Sequence, residues 1–186
     1  MKRQQGFTLV EIAIVLVIIG LLLGGVLKGQ EMIKSAKVKS QMQQMDGISA
    51  AFNTYYDKYG ALPGKDAAAT TNTGVASLTN GNGVGNFTTV EGNQLIWTHL
   101  QAANLLAGYS AAPNGRFINK YGQETFMRSN YAGLSGSILC ASVPNDVAME
   151  IDRKLDNGNG TSGSMRRHNL AAYPVTAGNS YICTAA

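Results

Sequence analysis

The side chains that could do chemistry are few, and the first of them is out of place. Glu11 lies inside the run from Phe7 to Leu27, where Thr8 is the only other polar side chain. A carboxylate near the middle of a hydrocarbon span costs on the order of 2.5–3.5 kcal/mol on insertion scales, less near an end, so it calls for a partner. No Lys or Arg lies one turn away on the same helix. The partner therefore comes from another chain, or is a charge that the genetic sequence does not display.

Cys140 and Cys183 are the only cysteines. In a chain directed out of the cytoplasm such a pair reads as a disulfide rather than a metal or redox site, with two free buried thiols as the alternative. Closing a loop of roughly 43 residues stabilises a fold by at most about 4 kcal/mol in the chain-entropy model.

His99 and His168 are the only histidines and lie far apart in the chain, and a lone His on an amphipathic helix is more often a surface or core residue than a base. Ser135 in GLSGS is not a nucleophile elbow, because a Gly follows it directly. No Walker loop, dinucleotide fingerprint or zinc-ligand spacing occurs. Asp156, Asn157 and Asn159 in DNGNGTSG are oxygen ligands of the type that suits calcium, but a second acid and a closing Glu are missing, and a Gly/Asn turn is the preferred reading. The sequence thus predicts no catalytic residue, no cofactor and no metal, and a protein that is not an enzyme.

These groups need elements to hold them. Residues 7–27 at ~1.5 Å rise per residue span roughly 30 Å, the hydrocarbon thickness, and read as a transmembrane helix. A secretory signal has a shorter apolar core and a small-x-small site after it, which Gly24-Gly25-Val26-Leu27-Lys28 does not supply. A plain anchor fits the length, with Lys2 and Arg3 retaining the N-terminus in the cytoplasm, but leaves Glu11 without a reason. Beyond Leu27 the helical period persists. Met45, Ile48, Phe52, Tyr55 and Tyr59 form one apolar stripe, with Gly60 as C-cap and Pro63 barring continuation. The helix is expected over residues 7–59, its 28–59 half amphipathic. Gly24, Gly25 and Gly29 mark a stretch expected to loosen when the helix leaves lipid, since each costs about 1 kcal/mol relative to Ala.

The remainder, 60–186, is expected to fold as one small α+β domain. ALPGKDAAATTNTGVASLTNGNGVGNFTTVEG reads as a long connecting loop. In NQLIWTHLQAANLLAG, Leu95, Ile96, Trp97, Leu100, Ala103 and Leu106 recur at helical spacing, Trp97 serving as core anchor and Gly108 as the stop. GRFINKYG, TFMRSNYAGL, SILCASV and SYICTA read as strands. NDVAMEIDRKLD reads as a helix with an Asn/Asp cap that ends by Gly158.

The stretch Gly6-Phe7-Thr8-Leu9-Val10-Glu11, behind a basic leader, resembles the processing site of type IV pilins and of the pseudopilins of type II secretion systems. The resemblance implies that a prepilin peptidase removes Met1–Gly6, that Phe7 becomes the N-methylated start of the mature chain, and that Glu11, its fifth residue, neutralises the Phe7 ammonium of a neighbouring subunit. It also implies an inner-membrane, single-pass precursor that passes through an assembly platform into a periplasmic or cell-surface filament of like subunits. The fold implied is a long N-terminal helix packed on a small antiparallel sheet, often with a disulfide-closed C-terminal loop, here Cys140 to Cys183. Many type IV pilins carry Pro at the twenty-second mature position, where this chain has Lys28. Pilus subunit, pseudopilin and membrane-anchored extracytoplasmic binding or enzymatic domain remain the alternatives.

Charge adds little. The formal +4 comes from 15 basic and 11 acidic residues. Loss of Lys2 and Arg3 with the leader leaves 13 basic against 11 acidic, or +2, too small an excess to imply nucleic-acid binding.

Overall fold

The computed structural model describes residues 8–83, 87, 90–107 and 116–186. Two compact units divide between Lys37 and Val38. The helix α1 (Leu9–Tyr59) contributes to both, and each unit is considered by itself.

In the first unit α1 runs unbroken through Gly24, Gly25 and Gly29, and carries an exposed Lys28–Glu31 ion pair at 2.7 Å. Large apolar side chains face outward all round, from Leu9 at 86% exposed to Ile19 at 46%. A helix apolar on every face cannot satisfy itself in water and requires lipid or other helices.

The second unit begins where burial begins. Val38, Met45, Ile48, Ala51, Phe52 and Tyr55 of α1 are buried, the stripe expected from their spacing, and Tyr59 packs at its edge. Gly60 ends the helix with φ +66° and donates its N–H to the Tyr56 carbonyl at 2.8 Å.

The stripe belongs to a core shared with an antiparallel sheet of five strands: β1 (Phe117–Ile118), β2 (Glu124–Ser129), β3 (Ser137–Pro144), β4 (Met165–Arg167) and β5 (Asn179–Ala185), in the order β1-β2-β3-β5-β4. Register separates its two faces, as the two-residue period of a strand requires. The row Met127, Leu139, Thr184, Met165 supplies three residues to the main core, whereas Phe126, Cys140 and Cys183, one step along, form a second cluster. The central strand β3 is therefore buried on both faces, which explains its continuous ILCASV run. Trp97 of α3 (Val90–Ala102) and Val147, Ala148 and Ile151 of α4 (Asn145–Leu155) complete the main core.

Several boundaries differ from the sequence expectation. The long loop carries a short helix, α2 (Ala69–Thr73), and α3 starts three residues before the expected Asn93. Helix α3 ends at Ala102 rather than at Gly108, which lies outside the described residues. Asn104 adopts φ +57°, while Leu105 N–H bonds to the Leu100 carbonyl and Asn104 N–H to that of Gln101. This is a Schellman stop with Asn in place of Gly. Leu105 and Leu106 still pack on the core, from a turn rather than a helix.

The expected Asn/Asp cap of α4 is absent. Pro144 occupies the N-cap, and the Asn145 side chain is drawn sideways, accepting from Ser180 Oγ at 2.7 Å and donating to the Thr176 carbonyl at 2.8 Å. It ties the helix start to β5 and its approach.

Candidate functional site

Gly6 and Phe7, the expected cleavage pair, lie outside the described residues. Immediately after them the structure explains how a carboxylate is held in an apolar run. Glu11 Oε2 accepts from Thr8 N–H at 2.8 Å and from Thr8 Oγ1–H at 2.7 Å, while Glu11 N–H donates back to Thr8 Oγ1 at 3.3 Å. This reciprocal pair is a capping box, in which residues three apart satisfy helix-start donors that have no intrahelical acceptor. Thr8 is the functional side chain that the sequence reading missed. The signal is T-x-x-E ahead of an apolar run, which lies in spacing rather than in charge. Both bonds received by the carboxylate go to one oxygen, and Glu11 is exposed to whatever surrounds the helix.

From this point to Leu27 α1 presents only apolar side chains and glycines, and α1 is long and apolar enough to cross a membrane. Helix start, capped acid and greasy shaft form one surface.

At the far end of the chain Cys140 and Cys183 are bonded across β3 and β5, where they face each other in register with Cα atoms 4.1 Å apart. No free cysteine remains. The bridge lies on the second face of the sheet beneath Phe126, Ile138 and Ala132, with Tyr131, Leu134 and Tyr181 packed around it. Arg128 stacks over the Phe126 and Tyr131 rings at 5.6 and 4.8 Å, and Arg116 covers Phe126 at 4.9 Å while pairing with Glu124.

The residues considered for calcium are engaged within their own loop. Asp156 Oδ2 accepts from Met165 N–H at 3.0 Å, Asn157 Oδ1 from Asn159 N–H at 2.7 Å, and Asn159 Oδ1 from the Thr161 hydroxyl at 2.8 Å. A Cβ on Gly163, at φ +90°, would sit 1.8 Å from Asp156 Oδ2, so glycine lets that carboxylate fold inward. Asp152 anchors the same loop, accepting from Tyr173 OH at 2.8 Å and Gly158 N–H at 3.0 Å, and burial, followed by the Asp152 carboxylate, pushes the Tyr173 phenol well above its usual range. Among the described residues no three His, Cys, Asp or Glu side chains gather as metal ligands.

The two histidines are not brought together. His168 stacks edge-on against Tyr181. His99 is fully buried and bonded through both ring nitrogens to backbone.

Residues 1–27 match the family model described as the prokaryotic N-terminal methylation motif, the signal of type IV pilins and pseudopilins. No curated protein and no solved structure matches the chain.

Proposed function

We propose that the chain is a non-enzymatic structural subunit of a type IV pilus or related filament. In this reading it is held in the inner membrane by α1, cut between Gly6 and Phe7 by a prepilin peptidase, methylated on Phe7, and polymerised through α1. The observation that carries the reading is the methylation motif, lying over a helix whose apolar side chains face outward on all sides around a single acid.

The chemistry follows from the environment. An ammonium and a carboxylate are each costly alone in a medium of low dielectric, whereas a close pair with good geometry offsets much of the desolvation. Within its own chain Glu11 Oε2 is already committed to Thr8. In this reading its second oxygen accepts the Phe7 amine of a neighbouring copy. Pairing of this kind favours one axial register between adjacent copies. Lys28, at the position where many type IV pilins carry Pro, favours a minor pilin or a type II pseudopilin over a standard major pilin.

Coexpression with a prepilin peptidase tests the processing step. The intact mass should correspond to residues 7–186 plus one methyl group, with the methyl on Phe7. A full-length product would favour a membrane-anchored extracytoplasmic domain.

A further inference from the structure

The loop between α1 and α3 is closed by one imidazole. His99 Nδ1 accepts the Gly64 N–H at 2.9 Å, and Nε2 lies 2.8 Å from the Thr79 carbonyl, to which it can only donate. The ring is therefore neutral and protonated on Nε2. Its two partners stand fifteen residues apart, near the two ends of the loop, so the ring works as a crossbar. Next to the crossbar the two ends of the loop meet backbone to backbone. Gly81 N–H bonds to the Asp66 carbonyl at 2.7 Å and Gly83 N–H to the Lys65 carbonyl at 2.9 Å. The approach is so close that a Cβ on Gly81 would fall 2.5 Å from the Lys65 carbonyl carbon.

A second proton on this ring has nowhere to go. It would sit on Nδ1 and point at the Gly64 N–H, donor against donor, and remove one rung of the closure. The ionisable groups around the ring are Tyr55, stacked on it at 6.1 Å with Tyr59 behind, and Asp66 from the loop. Asp66 is itself held by Tyr55 OH, Asn72 Nδ2 and Ala68 N–H. Its charge favours an imidazolium, but burial outweighs it and holds the His99 pKa below its ordinary value.

We infer that His99 is an acid-released latch: the neutral ring bridges Gly64 and Thr79 and holds the loop 61–83 against α1, and protonation frees the loop and uncovers Asp66, Lys65 and the Tyr55 hydroxyl. The latch lies within the second unit and is independent of filament formation.

Amide hydrogen exchange of the full chain in detergent, corrected for the intrinsic pH dependence, tests it between pH 7.5 and 5. An open-state histidine titrates near 6.5, so protection of Gly64, Gly81 and Gly83 should fall about tenfold per pH unit below that, roughly 30-fold by pH 5. His99→Gln, which can accept and donate at the same two points, should abolish the pH dependence, and His168→Gln should leave it intact. Should His99→Gln fail to fold, imidazole ¹⁵N shifts of the wild-type chain serve instead, and Gly64 protection should be lost in step with the gain of a proton on Nδ1. Protection that is constant across this range, or an undiminished pH response in folded His99→Gln, would overturn the latch.

Discussion

Glu11→Gln separates two roles that Glu11→Ala merges. Glutamine retains the side-chain carbonyl that can accept the Thr8 N–H and hydroxyl, and Gln serves in a capping box as Glu does, so the first turn of α1 stays closed. What it removes is the charge. If the role of Glu11 is to meet a neighbour's Phe7 ammonium, the variant leaves that ammonium buried alone. Deleting one partner of a buried pair costs about 3–5 kcal/mol. At 1.4 kcal/mol per decade this weakens each subunit contact by at least about 100-fold. Glu11→Ala additionally opens the cap, a further loss of about 1 kcal/mol at the helix start. Both variants are expected to insert and to be processed normally. The assay compares sheared filament against membrane-retained subunit by quantitative immunoblot, with intact mass reporting cleavage and methylation. Glu11→Gln should be nearly devoid of filament while Phe7 is fully processed. Wild-type filament yield from Glu11→Gln, together with failure of Glu11→Ala, would refute the ion-pair reasoning and assign the acid to capping alone.

Four further outcomes follow from the second unit. Tyr55→Phe removes the buried hydroxyl that holds Asp66 and should destabilise the fold by about 1.5–3 kcal/mol, read as a drop in Tm of several degrees that Tyr59→Phe does not reproduce. Burial alone would raise the Asp66 carboxyl, but hydrogen bonds from Asn72, Tyr55 and Ala68 prevail and hold it below its usual range. The stability it contributes is therefore complete above about pH 4 and lost as pH falls through the lowered value, a loss that calorimetry should find reduced in Tyr55→Phe. Cys140→Ser with Cys183→Ser should lower stability by up to about 4 kcal/mol in denaturant titration, and an unchanged midpoint would show the bridge to be idle. Gly81→Ala forces backbone apart at Lys65 and should raise exchange of the Gly83 amide without altering the Tm of Cys-reduced and oxidised forms relative to each other.

How much of this was readable beforehand depends on which physical signal each element carries. The stripe Met45, Ile48, Phe52 and Tyr55 has a 3.6-residue period that no strand could use, so α1 and its buried side were legible, as was the Gly60 stop. The principal strands and α4 were visible from apolar runs between turn residues, and the bond between Cys140 and Cys183 followed from their being the only pair. Strand β4 was not legible, because Met165–Arg167 has too few residues for a period and exists through its pairing with β5. The end of α3 was misplaced because Asn104 in a left-handed turn competes with the more conspicuous Gly108. Asn145 has the residue type of a cap, but its tertiary partners Ser180 and Thr176, more than thirty residues away, take the side chain instead. At the N-terminus the acid was found from its improbable setting, whereas its local partner Thr8 required reading spacing rather than charge.

A density map of the assembled filament at side-chain resolution bears most directly on the pairing of neighbouring copies. The carboxylate of Glu11 should lie within hydrogen-bonding distance of the methylated amine of Phe7 on an adjacent subunit, with Thr8 still bonded to its other oxygen. A map in which Glu11 faces lipid or solvent, with every chain start elsewhere, would contradict it and leave α1 as an anchor.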